Sequence, residues 1–541
     1  MSSGSGATGP SGGRVVVFTG DLSFAVRKGI VLADNAIAGM TWLVLVHSPR
    51  KRLLALVKSQ WRSLRRDRWR WLPYTLAEIW RRLFDAQAAD AQPAASALPG
   101  SEFSRSALAA RGNVRIVPVP DIHAPESIRL VQDFAPRLGL ALGAPILRKP
   151  LFALPAAGTL NLHKGKVPDY RGMPPAFWEL WNGENSVGCT VHWVEEKLDT
   201  GAVAAREVVQ CAPYSTVKGL QLKLDEVGIE LVQSALSDVL RGTPVALPQD
   251  SGGRTNRKPS LAQVAALERR LAARDPVAEP RPKALLKAGL GRGTHAVWRS
   301  GLYRAAAPRI TVLLYHRVTD DVRDNLSTGV EQFHRQMELV RRHCRVLSLE
   351  EVLDAKVIPR SRQPLVCVTF DDGYRDNHDN AVPILVRHQI PAAFFVSTGI
   401  VDTDRTFPHD IKRRNDPIPT MDWSQLRAMK KAGFTIGSHT VNHIDCAGEP
   451  EEVVWNELTE SRDTLRRELG DQDVILGYPY GGRHHMTPSR LDLVRRAGYA
   501  GCLSAYGGTN VRRVDPFNVL RRGIHWQFSD AAFMRECVGL P

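Results

Sequence analysis

The stretch Thr369-Phe370-Asp371-Asp372-Gly373 closes a short apolar run, Pro364 to Phe370, that is rich in β-forming residues. The run predicts a buried strand that opens into a loop. Two adjacent carboxylates at the end of such a strand repel each other, and a divalent metal is the obvious counter-charge. Asp371 and Asp372 therefore indicate a metal centre at the edge of a sheet.

Two histidines four residues apart lie downstream, in Ser438-His439-Thr440-Val441-Asn442-His443. They follow a predicted helix over Trp423–Ala432 and a second predicted strand over Phe434–Gly437. This spacing can place both imidazoles on one side of a single turn, as in other two-histidine metal sites. Two histidines and one aspartate with an open position for water form a hydrolytic metal site, in which the other aspartate can serve as general base.

Together these residues resemble the polysaccharide deacetylase family, also called the NodB homology domain, with its T-F-D-D-G and H-S/T-x-x-H motifs. The resemblance implies a distorted β/α barrel over residues 310–541. It also implies that Asp371 is the base and that Asp372, His439 and His443 hold a divalent metal, with Zn²⁺ expected. The alternative is an acidic loop that happens to follow a strand, with histidines that belong to the core.

The remaining motifs of that family are matched only in part. Tyr478-Pro479-Tyr480-Gly481 resembles the third motif, but Gly477 stands where the family often has an arginine, so the group that orients the base stays open. Leu520 to His525 resembles the last motif and implies that His525 is the general acid. His316, which follows a predicted strand, is a further candidate for the site. A purely structural role is an equal alternative for both histidines.

A second set of polar residues lies in the N-terminal half, beginning with Thr159-Leu160-Asn161-Leu162-His163. On a strand, Asn161 and His163 project to the same face because they are two residues apart. After a predicted strand over Val187–Val194, the stretch Leu198-Asp199-Thr200-Gly201 adds a carboxylate. Acyl transfer needs such a set, namely a donor for the developing oxyanion and acid/base groups that move a proton off the attacking amine.

These motifs, with Val167-Pro168-Asp169-Tyr170-Arg171-Gly172 between them, resemble the formyltransferase family that uses 10-formyltetrahydrofolate. The family includes methionyl-tRNA, glycinamide ribonucleotide and sugar N-formyltransferases. The resemblance implies a Rossmann-like domain over residues 14–260. It further implies that Asn161 stabilises the oxyanion, His163 is the acid/base and Asp199 positions or accepts the proton. The loop Lys164-Gly165-Lys166 departs from the transfer-RNA enzyme and leaves the acceptor open. The alternative is a Rossmann-like domain with an incidental polar cluster.

The whole chain of 541 residues is therefore predicted to be an α/β protein with two catalytic domains. Residues 1–13 form a Gly/Ser-rich tail that we expect to be disordered. Residues 261–309 are rich in Ala, Arg and Pro, and predict one or two helices and a linker between the formyltransferase and deacetylase domains.

The formal net charge of +16 favours anionic partners. Residues 50–82 contain eleven Lys and Arg residues and four Trp residues. Such a basic, aromatic, amphipathic segment can lie on an anionic membrane surface or contact nucleic acid, or it can be a solvated insertion that packs through its Leu and Trp face. Nucleic acid is the least favoured of these partners.

The folate donor and the spacing of the cysteines indicate the cellular compartment and, with it, the class of substrate. The seven cysteines are scattered without C-x-x-C spacing, and we recognise no signal-peptide pattern, so we expect a reducing, cytoplasmic location. We expect a bifunctional enzyme that formylates an amine and removes an N-acyl group from a nucleotide- or lipid-linked amino sugar or from a small metabolite. One alternative is a methionyl-tRNA formyltransferase-like enzyme with a fused hydrolase, although a linker stands where that enzyme has a further β-barrel. Another alternative is a membrane-surface scaffold with a degenerate enzyme domain.

Overall fold

The computed structural model describes residues 13–48, 98–250, 252–274, 307–413 and 417–539. These residues form two compact units, one built from residues 13–48 and 102–274 and the other from residues 98–101 and 307–539. The basic segment 50–82, residues 1–12 of the predicted tail and most of the predicted linker lie outside the described residues.

The first unit contains the strands β1 (Arg14–Thr19), β2 (Thr41–His47), β3 (Val114–Val119), β4 (Leu138–Ala141), β5 (Thr159–His163), β6 (Tyr170–Gly172), β7 (Ser186–Trp193), β8 (Val203–Gln210) and β9 (Arg254–Asn256). Its helices are α1 (Phe24–Ala36), α2 (Arg105–Ala109), α3 (Pro125–Phe134), α4 (Lys149–Phe152), α5 (Phe177–Trp181), α6 (Val217–Arg241) and α7 (Leu261–Ala272). The main sheet has seven strands in the order β3-β2-β1-β4-β5-β7-β8, and β6 pairs with β9 in a separate two-stranded sheet.

Strands β1 to β5 of this sheet are parallel, whereas β7 is antiparallel to β5 and β8 is antiparallel to β7. Residues Val15 to Phe18 are fully buried, as expected for a parallel strand covered on both faces. Because parallel strands present their carboxyl ends at one edge, Asn161 and His163 lie where ligands bind in open α/β sheets. The Rossmann-like prediction is confirmed.

Helix α7 extends this unit beyond residue 260, the predicted end of the domain. Ser260 and Gln263 form a capping box at the start of the helix. The side chain of each residue accepts a hydrogen bond from the backbone N–H of the other. Leu267 is buried in a core with Phe177 and Leu220, and Arg270 donates to the Trp181 carbonyl. The first unit therefore includes residues up to Arg274.

The second unit is a β/α structure whose strands are β10 (Arg309–Tyr315), β11 (Arg317–Val318), β12 (Ser327–Thr328), β13 (Arg345–Val346), β14 (Leu365–Phe370), β15 (Ala392–Val396), β16 (Thr435–Ser438), β17 (Ile475–Gly477), β18 (Gly501–Leu503), β19 (Asn510–Val511) and β20 (Arg521–Gly523). Its helices are α8 (Val330–His343), α9 (Leu349–Leu353), α10 (Val382–His388), α11 (Pro408–Arg413), α12 (Trp423–Lys431), α13 (Glu451–Leu469), α14 (Pro488–Arg496) and α15 (Asp530–Val538).

The main sheet of this unit runs in the order β18-β17-β16-β15-β14-β10. At its far end Leu503 pairs with Val519, and the following strand β20 pairs with β10, so the order returns to its start. Strands β10, β14, β15, β16, β17, β18 and β20 are parallel to their neighbours in this circuit. The prediction of a distorted β/α barrel is confirmed, and the barrel brings the carboxyl ends of β14, β16 and β20 to one face. Across the described residues of both units, no helix combines the length and the apolar character needed to cross a membrane.

Candidate active sites

Strand β5 carries two of the residues predicted for formyl transfer. Asn161 and His163 pair with His192 and Thr190 of the antiparallel strand β7. The side chain of Asn161 lies 3.0 Å from His192, measured from Nδ2 to Nε2, and His163 is buried. The alternation of the strand thus places an amide and two imidazoles on one face.

Asp199 joins this cluster from the loop after β7. Its Oδ2 atom lies 3.5 Å from His163 Nδ1, and its Oδ1 atom lies 3.5 Å from His192 Nε2. The backbone N–H of Gly172 donates to the same carboxylate at 3.4 Å, and Asp199 has a φ of 54°. A non-glycine residue in the left-handed region is held there by its surroundings, which indicates a functional constraint. The structure therefore brings all three predicted residues together.

The surroundings of His163 determine where its proton lies. Its Nε2 atom donates to the Tyr170 carbonyl at 2.8 Å, which leaves the Nδ1 lone pair on the side of Asp199. Burial lowers the pKa of His163, and the nearby Asp199 carboxylate opposes this effect without cancelling it. At neutral pH the imidazole is therefore uncharged and can accept a proton at Nδ1, where Asp199 would stabilise the resulting cation.

His192 is a member of this cluster that the sequence motifs did not single out. Its Nδ1 atom donates to its neighbour's carbonyl, that of Trp193, at 2.9 Å, so Nε2 accepts from the Asn161 amide. This contact orients the amide and leaves its second N–H available for an acyl oxygen. No local sequence signal marks His192, because the pairing of β5 with the antiparallel strand β7 places it opposite Asn161.

The unusual loop Lys164-Gly165-Lys166 has a structural explanation. Lys164 pairs with Asp225, and Lys166 pairs with Glu184 at 2.9 Å. A Cβ atom on Gly165 would lie 2.6 Å from His163 Nε2 and 2.5 Å from the Tyr170 oxygen. The glycine therefore permits the hydrogen bond that fixes the His163 tautomer, and both lysines are paired within the unit.

The second candidate site lies at the carboxyl face of the barrel, where Asp372, His439 and His443 converge. One ligand atom of each lies within 4.8 Å of the others, and all three residues are buried. Asp372 Oδ1 is 3.4 Å from the Nε2 atoms of both histidines. This is the only such group of three metal-binding residues among the residues that the structure describes.

The donor set fits a divalent metal. His439 Nδ1 donates to the Gly477 carbonyl at 2.6 Å, so its Nε2 lone pair faces the cluster, as is usual for metal-ligating histidines. Both carboxylate oxygens of Asp372 are buried without a hydrogen-bond partner, which is costly unless a cation balances them. Burial lowers the pKa of His443 to about 3, which keeps this imidazole neutral as a ligand must be.

The predicted base, Asp371, is buried beside this cluster and paired with Arg521 of β20. Arg521 Nη1 donates to Oδ1 at 2.7 Å, and Nη2 donates to Oδ2 at 2.7 Å. Burial would raise the pKa of Asp371, but Arg521 and His439 outweigh it and lower the pKa. The carboxylate is therefore ionised and can accept a proton.

His316 and His525 differ in what surrounds them. His316 lies close enough to Asp372 and Asp371 for their charges to act on it, yet burial outweighs them and lowers its pKa, so it is neutral. His525 follows β20 at the same face of the barrel, accepts from the backbone N–H of Gln527 at 3.3 Å and packs edge-on against Phe528. Its assignment as general acid stays a prediction.

Two further side chains at this site were not predicted. His409 Nε2 lies 3.5 Å from Asp372 Oδ2 and 2.8 Å from the Tyr374 hydroxyl, which itself donates to Asp410. Tyr480 is 42% exposed and packs edge-on against His443 with ring centroids 4.9 Å apart. His409 thus borders the second oxygen of Asp372, and Tyr480 offers an aromatic face at the site.

Comparison with known proteins finds a family match within each unit. Residues 121–236 match the formyl transferase family, and residues 359–502 match the polysaccharide deacetylase family. Methionyl-tRNA formyltransferase from Chlorobium chlorochromatii is 26% identical over 169 residues, covering 31% of this chain and 53% of that protein. The enzyme of the same name from Trichlorobacter lovleyi is 30% identical over 144 residues, covering 26% and 46%. The chain spans about half the length of these curated relatives.

Two solved structures show a distant similarity to this chain. A deacetylase from Streptococcus pyogenes, PplD in complex with acetate, is 23% identical with a TM-score of 0.37, covering 44% of this chain and 100% of its own. A sugar N-formyltransferase from Shewanella is 13% identical with a TM-score of 0.30, covering 47% of this chain and 86% of its own.

Proposed function

We propose that this chain, which joins a formyltransferase domain to a polysaccharide deacetylase domain, formylates the amine of an amino sugar and deacylates an N-acyl amino sugar. The observation that carries this proposal is that each unit assembles its own complete set of reactive groups. Asn161, His163 and Asp199 meet in one unit, and Asp371, Asp372 and the two histidines meet in the other.

In the formyltransferase unit, the proposed donor is 10-formyltetrahydrofolate. The attacking amine must lose a proton as it bonds to the formyl carbon, and the proposed acceptor of that proton is His163 Nδ1, which faces Asp199. Asp199 stabilises the imidazolium at 3.5 Å. The free N–H of Asn161, oriented by His192, stabilises the negative charge on the formyl oxygen.

In the deacetylase unit, Asp372, His439 and His443 would hold a divalent metal, which we propose to be Zn²⁺. Such a metal polarises the acyl oxygen and lowers the pKa of water. Asp371 takes the proton from the attacking water because it is ionised and lies next to the cluster, with His439 Nε2 4.0 Å from its Oδ2 atom. His525 is the proposed general acid that protonates the departing amine.

We further propose that the two sites act on the same amine. A deacetylase releases the free amine that a formyltransferase needs, and a shared chain keeps the intermediate at a high local concentration. The proposed order is N-acetyl to amine to N-formyl. The folate donor places the reaction in the cytoplasm, so the substrate is a small amino sugar, such as a nucleotide-linked one, rather than mature wall polymer.

Methionyl-tRNA formylation is the second candidate because the curated relatives carry that name. The loop lysines argue against it. Lys164 and Lys166, which could contact phosphates, are paired with Asp225 and Glu184. Initiator methionyl-tRNA is therefore the first competing acceptor to measure.

The experiment supplies the intact protein with UDP-N-acetylglucosamine and related N-acetyl nucleotide sugars, with and without the folate donor, and separates the products by mass spectrometry. Accumulation of the N-formyl sugar supports the proposed order. Hydrolysis of the N-formyl counterpart alone reverses it. Formylation of methionyl-tRNA without any sugar product would replace the amino-sugar proposal.

A further inference from the structure

The side chain of Arg521 makes its contacts outside its own strand. Arg521 lies on β20, its side chain is fully buried, and it contacts residues that directly follow β18 and β14. Its Nε atom donates to the Ser504 carbonyl at 2.6 Å, and Nη1 approaches Thr369 Oγ1 of β14 at 3.5 Å. The remaining bonds go to both oxygens of Asp371. A bidentate contact of this kind fixes the plane of a carboxylate as well as its charge.

The space next to this guanidinium explains why the arginine comes from β20 and not from position 477. A Cβ atom on Gly477 would lie 2.7 Å from Phe395 Cγ, and one on Gly437 would lie 2.6 Å from Phe395 Cδ1. The two glycines on β16 and β17 thus accommodate the ring of Phe395 on β15. Arg521 lies over that same ring, with its guanidinium carbon 5.6 Å from the centroid.

We propose that Arg521 is the positioning residue of the deacetylase base, and that Phe395, seated over Gly437 and Gly477, holds its guanidinium in place. Arg521 fixes the plane of the Asp371 carboxylate through its two hydrogen bonds and so aims it at the water that attacks the acyl carbon. The inference rests on the proposed deacylase function, since it assigns Asp371 the role of base. In this proposal Gly477 has two roles. Its lack of a side chain leaves room for Phe395, and its carbonyl orients His439.

The alternative is that the pair merely stabilises the core. Arg521→Lys separates the two explanations, because an ammonium keeps the positive charge but cannot form the two-pronged contact with Asp371 while donating to Ser504. Arg522→Lys is the matched control, since the neighbouring arginine on the same strand pairs with Glu536 and Thr509 instead.

The assay uses the full chain loaded with Zn²⁺ and follows the chelator-sensitive hydrolysis of 4-nitrophenyl acetate, a probe that does not depend on the identity of the sugar. Arg521→Lys should lower kcat by about 10²-fold with KM and metal content unchanged, because a misplaced base costs rate and not binding. Arg522→Lys should match the wild type. A kcat for Arg521→Lys within about threefold of the wild type, in folded and metal-loaded protein, overturns the proposal.

A crystal structure of Arg521→Lys gives a readout that needs no turnover. The Asp371 carboxylate should leave its present rotamer, and an unchanged rotamer would overturn the proposal even if the wild type hydrolyses no acyl compound. A wild-type protein that hydrolyses no acyl compound would count against the proposed deacylase function alone.

Should Arg521→Lys fail to fold, Phe395→Leu tests the same idea more mildly. It removes the ring beneath the guanidinium and leaves every polar group in place. Phe434→Leu is its control, because Phe434 is also buried but packs on Phe394. A larger loss of kcat in Phe395→Leu than in Phe434→Leu, together with a displaced Arg521 in its crystal structure, supports the proposal. Equal losses with Arg521 unmoved refute it.

Discussion

Replacing Asp371 with asparagine should separate the metal ligands from the base. Asp371→Asn keeps the size and one acceptor oxygen of the side chain but cannot accept a proton near neutral pH. General-base catalysis contributes about 10²–10⁴-fold, so kcat for deacylation should fall by at least ~10²-fold. Because the three ligand atoms belong to Asp372, His439 and His443, the protein should still bind one metal ion.

The same substitution has a predictable cost in stability. Asp371 and Arg521 are 2% and 0% exposed, so removing the carboxylate leaves a buried guanidinium without its counter-charge. Breaking a buried pair in this way costs about 3–5 kcal/mol, and the oxygen kept by asparagine favours the lower end of that range. For a unit of this size, 1 kcal/mol shifts Tm by about 2–4 °C. The melting transition of the deacetylase unit should therefore drop by roughly 6–12 °C.

The assay combines acetate release, elemental analysis for zinc and differential scanning calorimetry on the intact protein. Asp372→Asn is the matched control, because it should lose both metal and rate. The assignment of Asp371 is refuted if Asp371→Asn retains most of its kcat, or if it loses the metal as completely as Asp372→Asn does.

The remaining predictions concern both units. Chelation should abolish deacylation and leave formyl transfer unchanged, as measured by parallel assays of acetate and N-formyl product; equal loss of both would contradict two independent sites. His163→Ala should lower kcat for formyl transfer by at least ~10²-fold if His163 moves the proton, and near-normal turnover would mean that the site is misplaced. Gly165→Ala should also impair formyl transfer and destabilise its unit by about 1–3 kcal/mol, because the added Cβ would lie 2.5 Å from the Tyr170 oxygen. Gly112→Ala is the control, since a Cβ there has open space and should change neither activity nor stability. Burial raises the pKa of Glu179 from 4.5 to about 7, so the folded state binds the proton more tightly and this contribution to stability, present below pH 4.5, is lost as the pH rises through 7. Urea unfolding should show a loss of about 3 kcal/mol over this range in the wild type that is absent in Glu179→Gln, and identical pH profiles would refute the raised pKa.

Most of the secondary structure could be predicted because local signals marked its limits. The predicted helix over Trp423–Ala432 and the predicted strand over Phe434–Gly437 correspond to helix α12 (Trp423–Lys431) and strand β16 (Thr435–Ser438). Between them lies Gly433, whose φ of 91° is the left-handed conformation that glycine favours after a helix.

The partners of the reactive groups could not be predicted, because they come from distant strands. Arg521 is 150 residues from Asp371 and stands beside a second arginine, Arg522, which faces Glu536. Nothing local distinguishes the two, since only closure of the barrel decides which one points at the base. His192 and His409 were missed for the same reason, as strand pairing and a loop from another part of the unit place them.

The alternative of a membrane-surface scaffold with a degenerate enzyme domain had two grounds, the basic segment 50–82 and the missing arginine at position 477. The contact between Arg521 and Asp371 removes the second ground.

If the two proposed activities share an amine, the N-formyl product can be hydrolysed again in a futile cycle. A pocket that distinguishes acetyl from formyl gains only about 1–3 kcal/mol from one carbon, which is roughly 10- to 200-fold in kcat/KM. Net formation of the N-formyl sugar then requires the rate of formyl transfer to exceed the rate of this residual hydrolysis. The ratio of N-formyl sugar to free amine at steady state should therefore rise with the concentration of the folate donor, and a ratio independent of that concentration would show that the two sites do not share an amine.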